Sequence, residues 1–372
     1  MNQRRKFIQY FKKDSYIKRK CKTLVYCGCV IGVVVLCTCL SGCEKTATEN
    51  LIEENTDKKE YSEGIFAMDT YMSLTAYGSK GEEAVKAGIE EIERLDGIWS
   101  VGKEDSEVAK INQEGEGNIS EDTVSIVKRA LELSEGTKHA FSMTVYPLME
   151  LWGFTSGEYQ VPEKKDIKEK ILLVDDEKVI LDEENGKLTL GNGQQMDLGG
   201  IAKGFTSART MEIWKELGVT SGMVSLGGNV QVLGSKPDGS DWKIGVQKPG
   251  DREGNMLGVL SVRDCAVITS GGYERYFEEA GKTYHHILDT ATGRPSESGL
   301  TSVTIVSNDG TLADGLSTAL FVMGREKAIA YWKKHKEEFD TILVEEDGTI
   351  SITEGLQDRF ETEEKVIIIE GV

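Results

Sequence analysis

Cysteine is nearly absent from most of this 372-residue chain. Six of its seven cysteines lie within the first 43 residues, and Cys265 is the only one that follows them. A disulfide needs two thiols, so none can form within residues 44–372. We therefore expect this part of the chain to be held together by its apolar core, without covalent cross-links.

Basic residues are scarce after position 42. The chain carries 44 basic and 63 acidic residues, for a net charge of −19. Residues 1–42 hold nine of the basic residues and one acidic residue, so the remainder has a net charge of −27. Such an acidic surface argues against nucleic acid as a partner and against direct adsorption to anionic lipid. A polyanionic ligand would need locally arranged donors or a metal ion.

The first 42 residues have the pattern of a bacterial lipoprotein signal peptide. Nine basic residues precede the uncharged apolar run 24–40, and the run ends in Leu40–Cys43 (LSGC). The run approaches the length of a membrane span, so an uncleaved anchor is the alternative. A branched apolar residue, two small residues and cysteine favour cleavage and lipidation. We predict a signal peptide at residues 1–42, lipidation of Cys43, and a location on the extracytoplasmic face of the bacterial cell membrane.

The remainder divides into a tether at residues 43–62 and one domain at residues 63–372. The tether is polar, charged and aperiodic, as expected of a flexible linker. The domain contains neither internal repeats nor low-complexity tracts. Apolar spacing predicts helices at about 80–98, after Ser120, and at 202–217, 312–323 and 327–336. Short strand patterns joined by Gly- or Asp-containing turns favour antiparallel hairpins. The prediction is an α+β fold of mainly antiparallel sheet with packed helices.

Residues 197–204 (DLGGIAKG) combine an acid, three glycines and a lysine at the start of a predicted helix. Backbone N–H groups in a glycine-rich turn can approach phosphate oxygens, and the helix dipole favours negative charge there. The spacing matches neither a P-loop nor a Rossmann fingerprint. From these residues alone, a phosphate-binding turn and an ordinary tight turn with a helix cap are equally good interpretations.

Asp314, Ser317 and Thr318 are separated by three and four positions in a predicted helix, so they share one of its faces. A carboxylate with two hydroxyls offers the hard oxygen ligands that Mg²⁺ prefers. The alternative makes Asp314 a charge at the helix N-terminus and the hydroxyls small packing groups. Without further context, that alternative is the better interpretation.

The chain has four histidines, of which His285 and His286 are adjacent in a predicted strand at residues 284–288. Successive strand side chains point to opposite faces, so at most one of the two faces a site. An imidazole is the natural base for a hydroxyl near neutral pH. A single histidine on a strand is more often structural, so this signal is weak by itself.

Taken together and in order, four segments resemble the ApbE-type FAD:protein FMN transferases. They are Met68–Thr70, Asp197–Phe205, His285–Pro295 and Ala313–Gly324. The resemblance implies a single ApbE-like, T-fold-related flavin transferase domain at residues 63–372. It also implies Mg²⁺-dependent transfer of FMN from FAD to a Thr or Ser hydroxyl of another protein, through a phosphoester bond and with release of AMP. The acceptor would carry an Asp-x-x-(Ser/Thr)-Gly-(Ala/Ser)-(Thr/Ser) motif.

The resemblance also assigns roles to individual residues. His286 matches the catalytic histidine. The side chains of Asp314 and Thr318 match Mg²⁺ ligands, with Ser317 contributing beside them and Gly200 offering its carbonyl. The residues expected to contact the flavin nucleotide are Met68, Ala140, Phe141, Ser142, Asp197, Lys203 and Ile287.

This chain departs from the family pattern at three points. Ser142 stands where relatives often have an acid, so that acid's contact is lost or has moved. Residues 99–103 (WSVGK) replace a tyrosine-containing stretch of some members. Thr290 replaces a proline in a turn. Residues 289–293 begin like the acceptor motif, but Arg294–Pro295 breaks it, so we expect the acceptor to be another protein.

Two further functions fit the same residues. One is an FAD pyrophosphatase, in which water replaces the protein hydroxyl and the products are FMN and AMP. The other is a flavin-binding lipoprotein without chemistry, which the His286 match disfavours because storage needs no base. A solute-binding lipoprotein is disfavoured because no two-lobe repeat is visible.

Overall fold

A computed structural model describes residues 58–251 and 254–371, which lie within one compact unit. The predicted signal peptide, Cys43 and most of the predicted tether fall outside these residues. The helices are α1 (Gly81–Trp99), α2 (Glu107–Glu114), α3 (Glu121–Gly136), α4 (Tyr146–Leu151), α5 (Lys164–Lys170), α6 (Ala202–Glu216), α7 (Gly310–Met323) and α8 (Arg325–His335). Among the described residues, none of these helices has the length and apolarity to cross a membrane.

Nineteen strands accompany these helices in the described residues. In chain order they are β1 (Glu60–Ala67), β2 (Thr70–Tyr77), β3 (Glu116–Asn118), β4 (Ile180–Asp182), β5 (Lys187–Thr189), β6 (Gly222–Leu226), β7 (Asn229–Leu233), β8 (Trp242–Gln247), β9 (Met256–Val262), β10 (Ala266–Gly271), β11 (Tyr276–Glu279), β12 (Lys282–His285), β13 (Leu288–Asp289), β14 (Arg294–Pro295), β15 (Leu300–Ser307), β16 (Asp340–Glu345), β17 (Ile350–Thr353), β18 (Phe360–Glu361) and β19 (Val366–Ile369).

A nine-stranded sheet organises the domain, in the order β1-β2-β6-β7-β10-β15-β16-β17-β19. All of its pairs are antiparallel except β17 with β19. Smaller sheets are formed by β18-β9-β8, β3-β5-β4, β11-β12 and β13-β14. The α+β prediction of mainly antiparallel sheet with packed helices is confirmed.

The two faces of the large sheet are covered by different elements. Alternate side chains of a strand point to opposite faces, and β10 shows the division. Ile268 joins a core cluster with α3 and α7, whereas the adjacent Val267 joins a cluster with β8 and β9. The sheet is therefore covered on both sides, which explains why seven of the eight residues of the central strand β15 are buried.

The first residues of α3, α7 and β1 can be compared with the boundaries predicted from the sequence. Helix α3 begins after Ser120, whose Oγ accepts a hydrogen bond from the Thr123 amide at 3.4 Å. Helix α7 begins at Gly310, two residues before its predicted start, because Asp309 accepts from the Leu312 amide and caps it. Strand β1 begins at Glu60 and pairs with β2, so the last three residues of the predicted tether belong to the sheet.

Three short helices, α2, α4 and α5, were not predicted from the sequence patterns. Helix α2 buries only Val108 and Ile111, which is too short a stripe to show helical periodicity. The predicted strand at residues 284–288 is in fact the end of β12, a break, and the start of β13. The adjacent histidines lie at that break.

We predict that Leu74→Ala lowers the free energy of unfolding by about 2–5 kcal/mol, because it leaves a cavity in a fully buried strand position. Leu172→Ala is the matched control, since Leu172 is 72% exposed. Urea denaturation of the purified protein would measure both changes. Equal effects of the two substitutions would contradict the described packing of β2.

Candidate active site

Two helices of the core, α6 and α7, meet at a buried carboxylate. The Gly204 amide donates a hydrogen bond to Asp314 Oδ2 at 2.8 Å. A Cβ at position 204 would lie 2.2 Å from the Gly310 carbonyl oxygen and 2.5 Å from Asp314 Cβ. Only glycine therefore allows the helices to approach this closely. The predicted glycine-rich turn and the predicted acidic helix face belong to one site.

Asp314 is held on both of its oxygens. Its Oδ1 accepts a hydrogen bond from Asn229 Nδ2 at 2.8 Å, and the residue is only 4% exposed. Because each carboxylate oxygen has two lone pairs, one acceptor position on each oxygen stays available. A buried carboxylate without a neutralising cation is costly, so these two donors account for part of its stabilisation.

Three hydroxyls form a hydrogen-bonded group beside Asp314, which they contact through its main-chain carbonyl. Ser317 Oγ donates to the Asp314 carbonyl at 2.7 Å. Ser270 Oγ, at the end of β10, lies 2.7 Å from Ser317 Oγ and 3.2 Å from Thr318 Oγ1. The predicted clustering of Asp314, Ser317 and Thr318 is thus present, and Ser270 joins it.

The carbonyl of Gly200 is available to an additional ligand. Gly200 precedes Ile201, the N-cap residue of α6, so its carbonyl oxygen lies outside the hydrogen-bond ladder of the helix. No hydrogen bond to the Gly200 carbonyl is formed within residues 58–251 and 254–371. Those ranges also contain no group of three or more His, Cys, Asp or Glu side chains suited to a metal ion.

A hard divalent cation fits this donor set. One carboxylate, hydroxyls and a free carbonyl are oxygen donors of the kind that Mg²⁺ accepts. Mg²⁺ is commonly held by one or two carboxylates together with substrate phosphates, so a site with a single buried acid matches that mode of binding.

Asp197 and Lys203 flank the turn before α6. Asp197 Oδ1 accepts from the Gly199 amide at 2.8 Å, and Lys203 Nζ donates to the Gly199 carbonyl at 3.3 Å. Desolvation raises the pKa of Asp197, although the Gly199 amide, Arg275 and Lys203 oppose that rise. The turn therefore places one acid and one amine at the mouth of the site.

His286 is fixed by the main chain of Arg275. Its amide and its Nδ1 both bond to the Arg275 carbonyl oxygen, at 3.0 and 3.1 Å. A carbonyl only accepts, so Nδ1 carries the proton in that bond and Nε2 is left as the basic nitrogen. Desolvation, reinforced by Arg275, holds the pKa of His286 well below its ordinary value. The ring is therefore neutral at physiological pH.

The neighbouring His285 has a different environment. Its Nε2 lies 3.1 Å from the Ser296 carbonyl oxygen, and its ring packs edge-on against Phe321. The two histidines thus bond to separate main-chain carbonyls, although they lie at a break between β12 and β13 and not within one strand.

The connection from Ser270 to Arg275 links the carboxylate to the histidine. Ser270 contacts the hydroxyls of α7, while the Arg275 carbonyl holds His286. Glu274 lies between them, and desolvation raises the pKa of its carboxyl, with Lys203 opposing and Asp314 adding to the rise. No sequence pattern singled out Glu274 or Arg275, because they follow a glycine turn without periodicity.

Four of the seven residues predicted to contact the nucleotide belong to the core cluster of α3 and α7 or pack against it. Phe141 and Ile287 are buried within it, and Met68 and Ala140 pack against it. Phe141 also packs against Gly200, where a Cβ would lie 3.1 Å from the ring. Met68 has a positive φ of 46°, and its amide donates to Asp96 Oδ1 at 3.1 Å.

At Ser142 the structure supplies an acid from elsewhere in the chain. Ser142 Oγ donates to Asp176 Oδ1 at 2.7 Å, and Thr144 Oγ1 and its amide donate to the same oxygen, at 2.7 and 3.2 Å. Asp176 is buried. Residues 99–103 are the second segment that departs from the family pattern. There Trp99 is also buried, and its indole N–H donates a hydrogen bond to Thr123 Oγ1 at 2.9 Å, so this aromatic ring belongs to the core.

Comparisons with known proteins agree with this geometry. The ApbE family model matches residues 68–343. The FAD:protein FMN transferase of Klebsiella pneumoniae is 32% identical over 309 residues, covering 82% of this chain and 95% of the relative. That of Treponema pallidum is 30% identical over 336 residues, covering 84% and 92%.

Solved structures show the same likeness. The ApbE protein of Thermotoga maritima matches with a TM-score of 0.76 and 34% identity, covering 81% of this chain and 99% of that one. The flavinyl transferase ApbE of Pseudomonas stutzeri matches with a TM-score of 0.73 and 28% identity, covering 81% and 97%. With the family model matching most of the domain, the chain belongs to the ApbE family.

Proposed function

We propose that the protein transfers FMN from FAD to a Thr or Ser hydroxyl of another protein, with Mg²⁺, and releases AMP. The relatives named above are FAD:protein FMN transferases. The observation that carries the proposal is the buried Asp314, which accepts hydrogen bonds from Gly204 and Asn229 and lies beside three hydroxyls. The segment 270–275, which contacts those hydroxyls, also positions His286 through the Arg275 carbonyl.

A bound Mg²⁺ would neutralise charge on the pyrophosphate and on the AMP leaving group. Asp314, Thr318, Ser317 and the Gly200 carbonyl are the residues that would hold it. Lys203 and Arg275 add positive charge at the mouth of the site, where phosphate oxygens would lie. Phosphoryl transfer depends mainly on such positioning and charge stabilisation, which this arrangement provides.

His286 completes the reaction as the base. The acceptor oxygen forms a bond to the phosphorus of the FMN half, and the bond from that phosphorus to the bridging oxygen breaks. Nε2 of His286 takes the proton of the acceptor hydroxyl, and the electron pair of the broken bond leaves with AMP. A neutral imidazole is required for this step, and desolvation of His286 maintains that form.

We further propose that the mature protein is anchored by lipid at Cys43 and works outside the cytoplasmic membrane. The basic segment, the apolar run and the Leu40–Cys43 sequence support this location. The acceptor would then be another protein on the same side of that membrane, carrying the Asp-x-x-(Ser/Thr)-Gly-(Ala/Ser)-(Thr/Ser) motif.

We expect a small acceptor protein with this motif to gain the mass of one FMN when incubated with the enzyme, FAD and Mg²⁺. Intact mass spectrometry would measure the gain, and EDTA or replacement of the acceptor Thr by Val should abolish it. AMP release without a gain in mass would favour the pyrophosphatase. FAD that stays intact would favour the flavin-binding lipoprotein.

We predict that Asp314→Ala lowers transfer by about 10³-fold, because metal stabilisation of the transferring group contributes several kcal/mol. Excess Mg²⁺ should restore little activity. Asp309→Ala removes the cap of the same helix and an ion pair with Arg129 but leaves the site residues in place, so it is the matched control and should keep most of the activity. Transfer at the wild-type rate without Asp314 would refute the metal assignment.

We predict that His286→Gln lowers transfer by roughly 10²–10⁴-fold, the usual contribution of a general base, while FAD binding persists. His285→Gln is the control from the adjacent position. In the wild type, lowering the pH through 6.5 should not remove the base, because the pKa of His286 lies below that of an ordinary histidine. A transfer rate that falls with a midpoint at 6.5 would contradict the neutral, desolvated ring.

A further inference from the structure

Asn229 is a buried polar residue of β7 that contacts Asp314, the candidate metal ligand, although it belongs to neither α6 nor α7. Its Nδ2 donates to Asp314 Oδ1 at 2.8 Å, and the residue is only 4% exposed. The carboxylate can only accept, which assigns the nitrogen of the amide to this contact. The partner of Asp314 Oδ2 comes from a different element, the Gly204 amide of α6.

The position of Asn229 is set by a tight hairpin. Leu226 and Asn229 face each other across Gly227 and Gly228, which have φ values of 64° and 100°. Two consecutive positive φ angles are typical of the two-residue turns that fix hairpin register. Asn229 is therefore the first residue of β7, and the hairpin turn sets its register against β6.

Two donors from separate elements determine the orientation of a carboxylate. With a single donor, the group could rotate about its Cβ–Cγ bond. With the Gly204 amide on Oδ2 and the Asn229 amide on Oδ1, its plane is fixed and one lone pair per oxygen remains for another ligand. A neutral amide also leaves the full negative charge in place, whereas Lys or Arg in this position would neutralise it.

We infer that Asn229 is a positioning residue that orients the Asp314 carboxylate for a divalent cation. This inference rests on the proposed function. Residues that orient metal ligands typically change metal affinity by about 10–100-fold when removed. Asn229→Ala is therefore expected to raise the Kd for the cation by that factor, whereas the KM for FAD at saturating cation should change less.

Gln231 offers a matched control on the same strand. It lies two residues further along β7, is buried, and its Oε1 accepts from Ser207 Oγ at 2.7 Å. Alternate residues of a strand share a face, so Gln231 has the same kind of side chain in the same orientation. It lies against α6 at Ser207 and against α7 at Gly310, and within residues 58–251 and 254–371 it forms no hydrogen bond with Asp314. Gln231→Ala therefore removes comparable packing and hydrogen bonding and keeps both donors of the carboxylate.

The test is titration of the purified protein with Mn²⁺ in the presence of ADP, followed by electron paramagnetic resonance of free Mn²⁺. ADP supplies a pyrophosphate without a transferable FMN. We expect weaker Mn²⁺ binding by about 10–100-fold in Asn229→Ala and less than about 3-fold in Gln231→Ala, with thermal unfolding confirming that both variants are folded. If Asn229→Ala fails to fold, Asn229→Ser is measured instead and should show the loss, because its shorter hydroxyl cannot span the contact.

Wild-type binding of Mn²⁺ in a folded Asn229→Ala protein would overturn the role of Asn229 and leave the proposed function intact. Equal losses in the Asn229 and Gln231 variants would also overturn it, because the effect would then come from packing. Failure of the wild type to bind Mn²⁺ with ADP would instead refute the proposed metal site.

Discussion

The hydrogen bond between the Gly204 amide and Asp314 is the contact on which the site depends. It forms because Gly204 has no side chain to separate α6 from α7. Gly204 lies in the first turn of α6, where amides have no acceptor within the helix, and Asp314 accepts from one of them. The close approach of two helices thus fixes the buried acid, which explains why a glycine-rich turn and an acidic helix face belong to one site.

Electrostatics explain how so acidic a chain can accept a polyanionic nucleotide. The net charge after residue 42 is −27, yet Lys203 and Arg275 lie within electrostatic range of Asp197, Glu274 and His286. Local cations therefore oppose the overall charge where phosphates would bind. A divalent cation at Asp314 would add to them, which fits the expectation that a polyanionic ligand needs locally arranged donors or a metal.

The structure shows what surrounds two of the positions at which this chain departs from the family pattern. Ser142 replaces an acid, and Asp176 reaches it from a distant part of the chain, so a carboxylate is present beside that segment. The Trp99 ring packs into the core at 5.2 Å from Phe205. It is therefore part of the support beneath the site.

Much of this protein was determined by local sequence. Ser120 and Asp309 cap helices, Gly218 and Gly324 end them, and apolar alternation gives the strands, because these signals act within a few residues. Asp314, Ser317 and Thr318 share a face by helical spacing alone. The tertiary structure decided the rest. Four residues reach the site only because the start of β7, the end of β10 and the segment before β11 lie beside α6 and α7. They are Asn229, Ser270, Glu274 and Arg275. Strand pairing brings together residues that are far apart in the chain, and local periodicity does not indicate which strand ends will lie next to each other.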